Sequence, residues 1–425
     1  MCQLSHKISA HLMCVLLAVT TPSMALAEEV EASLCQGIKS ALDIMRCLRT
    51  KQPAFIAAKN LRSAEEDSRR GGRRWLNPEI QSQGMGGRSL GNEQLQVQVA
   101  LYQPIQTGGK RQAQILSGES NALGFQARSR IEQGQFLKQT ALGLYRYRQL
   151  QGEIDAIQEA ADTFKKLVAQ YQGRPRLTPE QEVSLSIFKL AQGDYELRLV
   201  EKKNEELQVL NFFQATLKLD ISKYEKILPL YQEPSEKEID SFEAEALTQK
   251  APEILTSQAE LKQAHATAFQ ARGDAFSDIS IGPMMAVNRD GPLQQNLFGL
   301  ALNIPFPVWN QNGYQVAAAE KQASLLEHKI RIQTSEVELE IKRTITTINS
   351  AKSRLSVLPT QSNLHQKHTQ VEKNFFRGLV SPALIVEAHR ALVDFLIQRH
   401  QSENFVMGNL WDLYMIADRL EEKQL

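Results

Sequence analysis

The sequence predicts a mainly α-helical protein with membrane β-strands, built as two structural repeats of long helical hairpins with four strands per chain. Three observations predict it. In residues 94–104, apolar Leu95, Val97, Val99 and Leu101 alternate with Gln94, Gln96 and Gln98. Successive strand side chains point to opposite faces, so this stretch is either a wall between lipid and water or an edge strand of a soluble sheet. Two proline-poor, helix-favouring stretches of roughly 60 residues each would span about 90 Å at the helical rise. The same order of elements occurs twice, about 200 residues apart, so half of the plan is the unit to explain.

Residues 1–27 read as a secretory signal, with Lys7, an apolar stretch over 12–19, and Ala25-Leu26-Ala27 before Glu28. The mature chain is therefore expected in the periplasm or outer membrane of a Gram-negative bacterium. The remainder has no apolar run of the about 20 residues that a spanning helix needs, so any crossing must use strands. Cys2 and Cys14 fall in the signal; Cys35 and Cys47, in an oxidising compartment, are expected to form a disulfide. Ala32-Ser33-Leu34 follows acidic residues rather than an apolar stretch, which disfavours a lipid anchor on Cys35. A net charge of +1 gives no sign of a nucleic-acid partner. Gly108-Gly109-Lys110 lacks the spacing of a phosphate loop.

The first repeat is expected over residues 28–219. A helix over 53–75 precedes a strand over 79–86, a turn over 88–92 and the alternating strand over 94–104. The proline-free rod then runs from Gly108-Gly109 to a turn at 173–179, where Thr178 is a hydroxyl cap and Pro179 the first helical position. A second helix reaches about residue 219, and 220–250 forms an irregular collar. The second repeat, 251–425, restarts with a helix from Ala251-Pro252 to 276. Its strand over 278–287 carries Ile279, Ile281, Met285 and Val287 on one face. After a turn over 288–292, the strand over 297–304 carries Phe298, Leu300, Leu302 and Ile304 on one face. A second rod spans 313–376, a turn 377–382, and a last helix runs to about 420. Within that rod Ile330, Val337, Ile341, Ile345 and Ile348 recur at three, four or seven, a narrow coiled-coil seam. The helix before each strand pair and the helix after each rod together match the rod in length, so two shorter helices are expected to pack on each long one.

As membrane strands, these segments turn Leu95, Val97, Val99, Leu101, Ile279, Ile281, Phe298, Leu300 and Leu302 towards lipid. Four strands cannot close a barrel, and an open edge in lipid leaves unpaired backbone groups. A homotrimer would supply twelve, within the range of membrane barrels. Trp75, Tyr102, Phe306 and Trp309 lie at or just beyond strand ends, either in a headgroup girdle or packed at strand-to-helix corners. Residues 69–74 are rich in arginine, placed beside lipid phosphates or in solvent.

With these residues in view, the chain resembles the TolC-like family of trimeric outer-membrane efflux channels over nearly all of its mature length. Gln103-Pro104-Ile105-Gln106-Thr107-Gly108-Gly109-Lys110-Arg111 and Ile304-Pro305-Phe306-Pro307-Val308-Trp309-Asn310-Gln311-Asn312-Gly313 are similar to the strand-to-helix corners of the outer component of heavy-metal pumps of the resistance-nodulation-division class. Gln106 stands where that pattern has an acid. The resemblance implies a twelve-stranded outer-membrane barrel, a long α-helical tunnel (an α-barrel) through the periplasm, a periplasmic adaptor docked at the helical tips, and an inner-membrane pump supplying the energy. The tips here are Arg176-Leu177-Thr178 and Gly378-Leu379-Val380-Ser381, similar to the family's Arg-Leu-Ser and Val-Gly-Leu tips; their other reading is turn chemistry. Glu182 and Glu387 lie nine residues after Gly173 and Gly378. In a three-fold tube each would form a ring of carboxylates favouring cations; on a solvated helix face they would do nothing of the kind. Leu384 and Val380 depart from the acid and the gating arginine that the family places here.

No nucleophile with a base, no convergent carboxylates and no cofactor motif stand out, so no catalytic residue is assigned. His365 and His368 sit one turn apart without a third ligand nearby; His265, His328, His389 and His400 are isolated. The expected function is a passive exit duct for small solutes or heavy-metal cations in a tripartite efflux system. The rival readings are a duct for type I protein secretion and a soluble periplasmic coiled-coil adaptor or structural protein.

Overall fold

The helix that organises the chain is α3 (Lys110–Gln172), 63 residues without a proline, about 95 Å long at 1.5 Å per residue. It begins after Gly108 and Gly109, which hold φ of 63° and 98°, a region that a side chain disfavours. The computed structural model describes residues 37–89, 92–243, 247–276, 278–304, 312–359 and 361–420. All the elements below belong to one unit, Lys39–Leu425.

Around α3 stand α1 (Ala41–Lys51), α2 (Pro53–Gly72), α4 (Pro179–Leu217), a short 3-10 turn (Ile221–Ile227), α5 (Glu236–Asp240), α6 (Pro252–Asp274), α7 (Gly313–Val357), α8 (Gln361–Phe376) and α9 (Pro382–Ile416). Their ends follow capping chemistry. Thr178 accepts from the Gln181 backbone N–H while the Gln181 side chain accepts from the Thr178 N–H, a capping box with Pro179 at the first helical position. Ser381 caps α9 with Pro382 in the same role. Gly378, at φ 76°, closes α8 with bonds from its own N–H to Phe375 O and from Leu379 N–H to Asn374 O, the paired pattern of a Schellman end.

Helix α2 packs on the first half of α3 and α4 on the second. At 20 and 39 residues, the two together nearly match α3. On its other side α3 meets α6 and α9, and both of these meet α7. Helix α9 also meets α4 and α8; α4 and α7, each with a row of exposed apolar residues, are the edge helices. The crossing of α2 and α3 is close: a Cβ on Gly118 would stand 2.6 Å from Ser68 O and 3.0 Å from Gly72 Cα. The core near the turns is aromatic, with Phe164 stacked on Tyr195 at 5.5 Å and on Phe188 at 6.2 Å between ring centroids. The predicted seam of the second rod is present, with Ile341 and Ile348 fully buried.

The strands β1 (Glu79–Ser89), β2 (Asn92–Ile105), β3 (Ile279–Asp290) and β4 (Leu293–Asn303) form one antiparallel sheet in the order β1-β2-β3-β4. The order leaves β1 and β4 as edges. No described helix is long and apolar enough to cross a membrane.

Five details differ from the sequence reading. Helix α1 was not expected; a capping box between Ser40 and Asp43 starts it. The second rod is two helices, because Leu358 ahead of Pro359 is extended at φ −74° and ψ 142°, the conformation that a following proline imposes. Both hairpins are tighter than expected: β1 reaches Ser89, β3 reaches Asp290 and β4 starts at Leu293. Helix α2 ends at Gly72 rather than 75. Tyr102 pairs with Glu79, which puts it on the polar face of the sheet and removes it from a girdle on the apolar face. Phe306 and Trp309, with the rest of the second corner over 305–311, lie outside the described residues, as does Cys35. Cys47 is buried and disulfide-bonded.

Candidate functional site

The sheet register sorts the strand residues into two faces. Val97 lies opposite Val287, Val99 opposite Met285, and Ile105 opposite Ile279; Ile281 lies opposite Leu302, Pro283 opposite Leu300, and Met285 opposite Phe298. Side chains alternate along each strand, so Leu95, Val97, Val99, Leu101, Ile279, Ile281, Phe298, Leu300 and Leu302 all share one face. Phe298, Leu300 and Leu302 are 79%, 67% and 56% exposed. The opposite face pairs Gln83 with Gln98, Asn288 with Gln295, and Met284 with Gly299. On the apolar face, Ile279 to Val287 covers about 27 Å along β3, or about 21 Å once tilted by ~40°, close to the ~25 Å apolar band of a membrane barrel. Above it the face turns polar at Asn296, Arg289 and Gln294.

At the sheet centre, a Cβ on Gly282 would stand 1.6 Å from Leu101 O. The β2–β3 pairing skips Gly282 and Pro283, and Pro283 has no N–H to give. The edge helices also expose apolar residues at heptad spacing: Val183, Leu190 and Leu197 with Val200 and Leu207 on α4, and Leu325, Ile332 and Leu339 on α7. Exposed rows of this kind have the spacing of a coiled-coil seam.

At the two turns, Arg176 and Thr178 are exposed and Leu177 is half-buried. Arg174 lies over the Tyr171 ring at 4.7 Å. In the second turn Leu379 is 72% exposed, Gly378 and Ser381 are exposed and Val380 is half-buried. Thr178 and Ser381 serve as helix caps, so the turn chemistry holds whatever else these residues do. Glu182 and Glu387 are exposed and make no ion pair among the described residues.

Sequence reasoning missed a buried ionic cluster that joins three helices. The Glu153 carboxylate, with no exposure, accepts from Arg146 at 2.7 and 3.0 Å, stands 2.8 Å from His400 Nδ1 and 3.1 Å from Lys202 Nζ. Arg146 also donates to Glu205 at 2.6 and 2.9 Å. Burial pushes the Glu153 carboxyl up, but hydrogen bonding with His400 and Arg146 and the charges of Arg146 and Lys202 outweigh it and bring it down to about 2. Arg198 bonds Asp394 at 2.6 Å and so links α4 to α9. Arg146 and Glu153 share a face of α3, the only signal the sequence held; their partners are remote along the chain. Among the described residues no group of three potential ligands could hold a metal ion.

No family model and no curated relative matches the sequence. Solved structures do match in fold. CusC, described as undergoing conformational changes that accompany folding and transmembrane channel formation, is 15% identical, with 88% of this chain and 89% of that one covered and a TM-score of 0.60. The outer membrane protein VceC from Vibrio cholerae is 13% identical, with 89% and 94% covered and a TM-score of 0.63. A membrane protein from Pseudomonas aeruginosa is 13% identical, with 94% and 96% covered and a TM-score of 0.67. The chain has the fold of the TolC-like outer-membrane channels.

Proposed function

We propose that this chain is an outer-membrane channel of a tripartite efflux system, a passive duct from the periplasm to the exterior. The observation that carries the reading is the open four-stranded sheet, apolar on one face and polar or small on the other, with both edges unpaired. In lipid those edges must be closed, because each unsatisfied backbone group costs several kcal/mol. Three copies set edge to edge close twelve strands around a polar lumen, and the exposed rows on α4 and α7 close the helices beneath them in the same way. The nine apolar strand residues then face lipid. The chain is placed in the outer membrane of a Gram-negative bacterium and reaches into the periplasm through its helices.

The turns at the far end of α3 and α8 are the docking tips for a periplasmic adaptor, which couples the duct to an inner-membrane pump. Leu379, exposed beside a rigid Schellman end, is the better anchor; Leu177 is partly covered. Glu182 and Glu387, free of ion pairs among the described residues, form rings of carboxylates that favour cations. Heavy-metal cations are the finer proposal for the cargo, supported by the similarity of the first strand-to-helix corner to that of heavy-metal efflux channels. The test is conductance in planar bilayers. Cation-selective channels that lose selectivity in Glu387→Gln support the duct and its ring; an unaltered preference removes the ring, and the absence of conductance removes the duct.

A further inference from the structure

The junction between α2 and β1 carries charge that the channel reading does not use. Arg69 and Arg70 pair with Glu65 and Glu66 one turn earlier. Arg73 and Arg74 are exposed and make no ion pair among the described residues; the charge of Arg73 helps to hold the Glu119 carboxyl low, but the ion-pair partner of Glu119 is Lys262. Ser68 and Gly72 form the face of α2 that meets Gly118, so Arg70, two residues after Ser68, lies on the far face. Arg111 reaches over from α3, donates to the carbonyl oxygens of Gly72, Arg73 and Arg74, and lies 5.3 Å over the Trp75 ring. That contact neutralises the negative end of α2 and leaves the Arg73 and Arg74 side chains for another anion.

The position of this cluster identifies the anion. Trp75 is 69% exposed and stands four residues before β1. The connector is tied to the base of β2 by a bond from Gln103 Nε2 to Leu76 O at 3.0 Å. Just above, Ile80 is 74% exposed and opposite Leu101, at the lower border of the apolar face. An indole, then guanidinium groups without an ion pair among the described residues, directly under an apolar band is the arrangement that meets a lipid headgroup. The equivalent junction of the second repeat differs: Arg272, near the end of α6, is paired with Glu320, and Asp278, just ahead of β3, with Lys110 of α3. We infer that Arg73 and Arg74, with Trp75, form one site per chain for the phosphate of an anionic phospholipid in the periplasmic leaflet.

This inference rests on the outer-membrane reading, and its test separates the two. Full-length protein in detergent is offered phosphatidylglycerol and phosphatidylcholine in equal amounts, and retained lipid is counted by native mass spectrometry. The wild type is expected to prefer phosphatidylglycerol, and R73Q/R74Q to reduce that preference by about thirtyfold at low ionic strength, from the effect of two cations near a lipid surface. R69Q/R70Q, which removes cations already paired, is expected to change it far less. Equal retention of both lipids by the wild type, or an undiminished preference in R73Q/R74Q, overturns the site. Displacement by millimolar inorganic phosphate assigns it to free phosphate and overturns the lipid. Bilayer insertion is measured on the same preparations: insertion without lipid preference sinks the site alone, while failure of the wild type to insert sinks both. Should R73Q/R74Q not fold, R74Q alone is expected to lower the preference about fivefold, and no change there is equally fatal.

Discussion

Glu153→Gln probes the helical half of the molecule most sharply. The substitution keeps the shape of the side chain and removes its charge. Arg146 and Lys202, 16% and 11% exposed, are then left with Glu205 as their remaining carboxylate partner in the cluster. Breaking a buried ion pair by deleting one partner costs about 3–5 kcal/mol. A second route gives a similar figure. The Glu153 carboxyl is brought down from 4.5 to about 2, and at about 1.4 kcal/mol per pH unit the folded state gains roughly 3 kcal/mol from its ionisation. Because the folded value is depressed, this stability is present above the unfolded value of 4.5 and is lost as the pH falls through about 2. Glu205, also held low by Arg146 and Lys202 against the effect of burial, acts in the same direction. The assay is guanidinium unfolding in detergent followed by the fluorescence of Trp411, which is 1% exposed on α9. Glu153→Gln is expected to lose about 3–5 kcal/mol at pH 7 and to flatten the decline of stability between pH 5 and 2. A loss below about 1 kcal/mol with an unchanged pH profile would refute the assignment of Glu153 as the keystone of the cluster.

The other predictions concern close approaches and the tips. Gly282→Ala places a carbon 1.6 Å from Leu101 O and is expected to abolish the heat-sensitive gel shift of a closed barrel. Gly299→Ala, whose added carbon meets only Met284 Cε at 3.7 Å, leaves that shift in place; equal behaviour of the two contradicts the register. Gly118→Leu pushes α2 off α3 and is expected to destabilise by about 1–3 kcal/mol or more in the same unfolding assay. Leu379→Asp is expected to stop export while the purified oligomer keeps its mass; unimpaired export contradicts docking at that tip.

Much of this fold could be read from the chain because its determinants are local. Alternation across residues 94–104 assigns a strand and its two faces, and the pair Thr178-Pro179 starts a helix, because each depends on neighbours within a turn. The break at Leu358 was legible in principle: Pro359 is in plain view, but a rod read by its apolar seam passes over a single proline. Helix α1 was missed because eleven residues carry too little periodicity to stand out; only its Ser40–Asp43 box signals it. Proximity to the strand end leaves Tyr102 open between a girdle and packing at the corner, because its face depends on parity along β2. The cluster around Glu153 was not legible, since Lys202, Glu205 and His400 come to it from two other helices. The tips are intermediate: their turn chemistry is local and present, while the docking proposed for them would depend on another protein.

The account depends on copies of the chain completing one another's sheet. Native mass spectrometry of the protein extracted from outer membranes measures this directly. Three copies in one particle is the predicted result; a single copy, released from the membrane fraction by carbonate and stable without detergent, would contradict it.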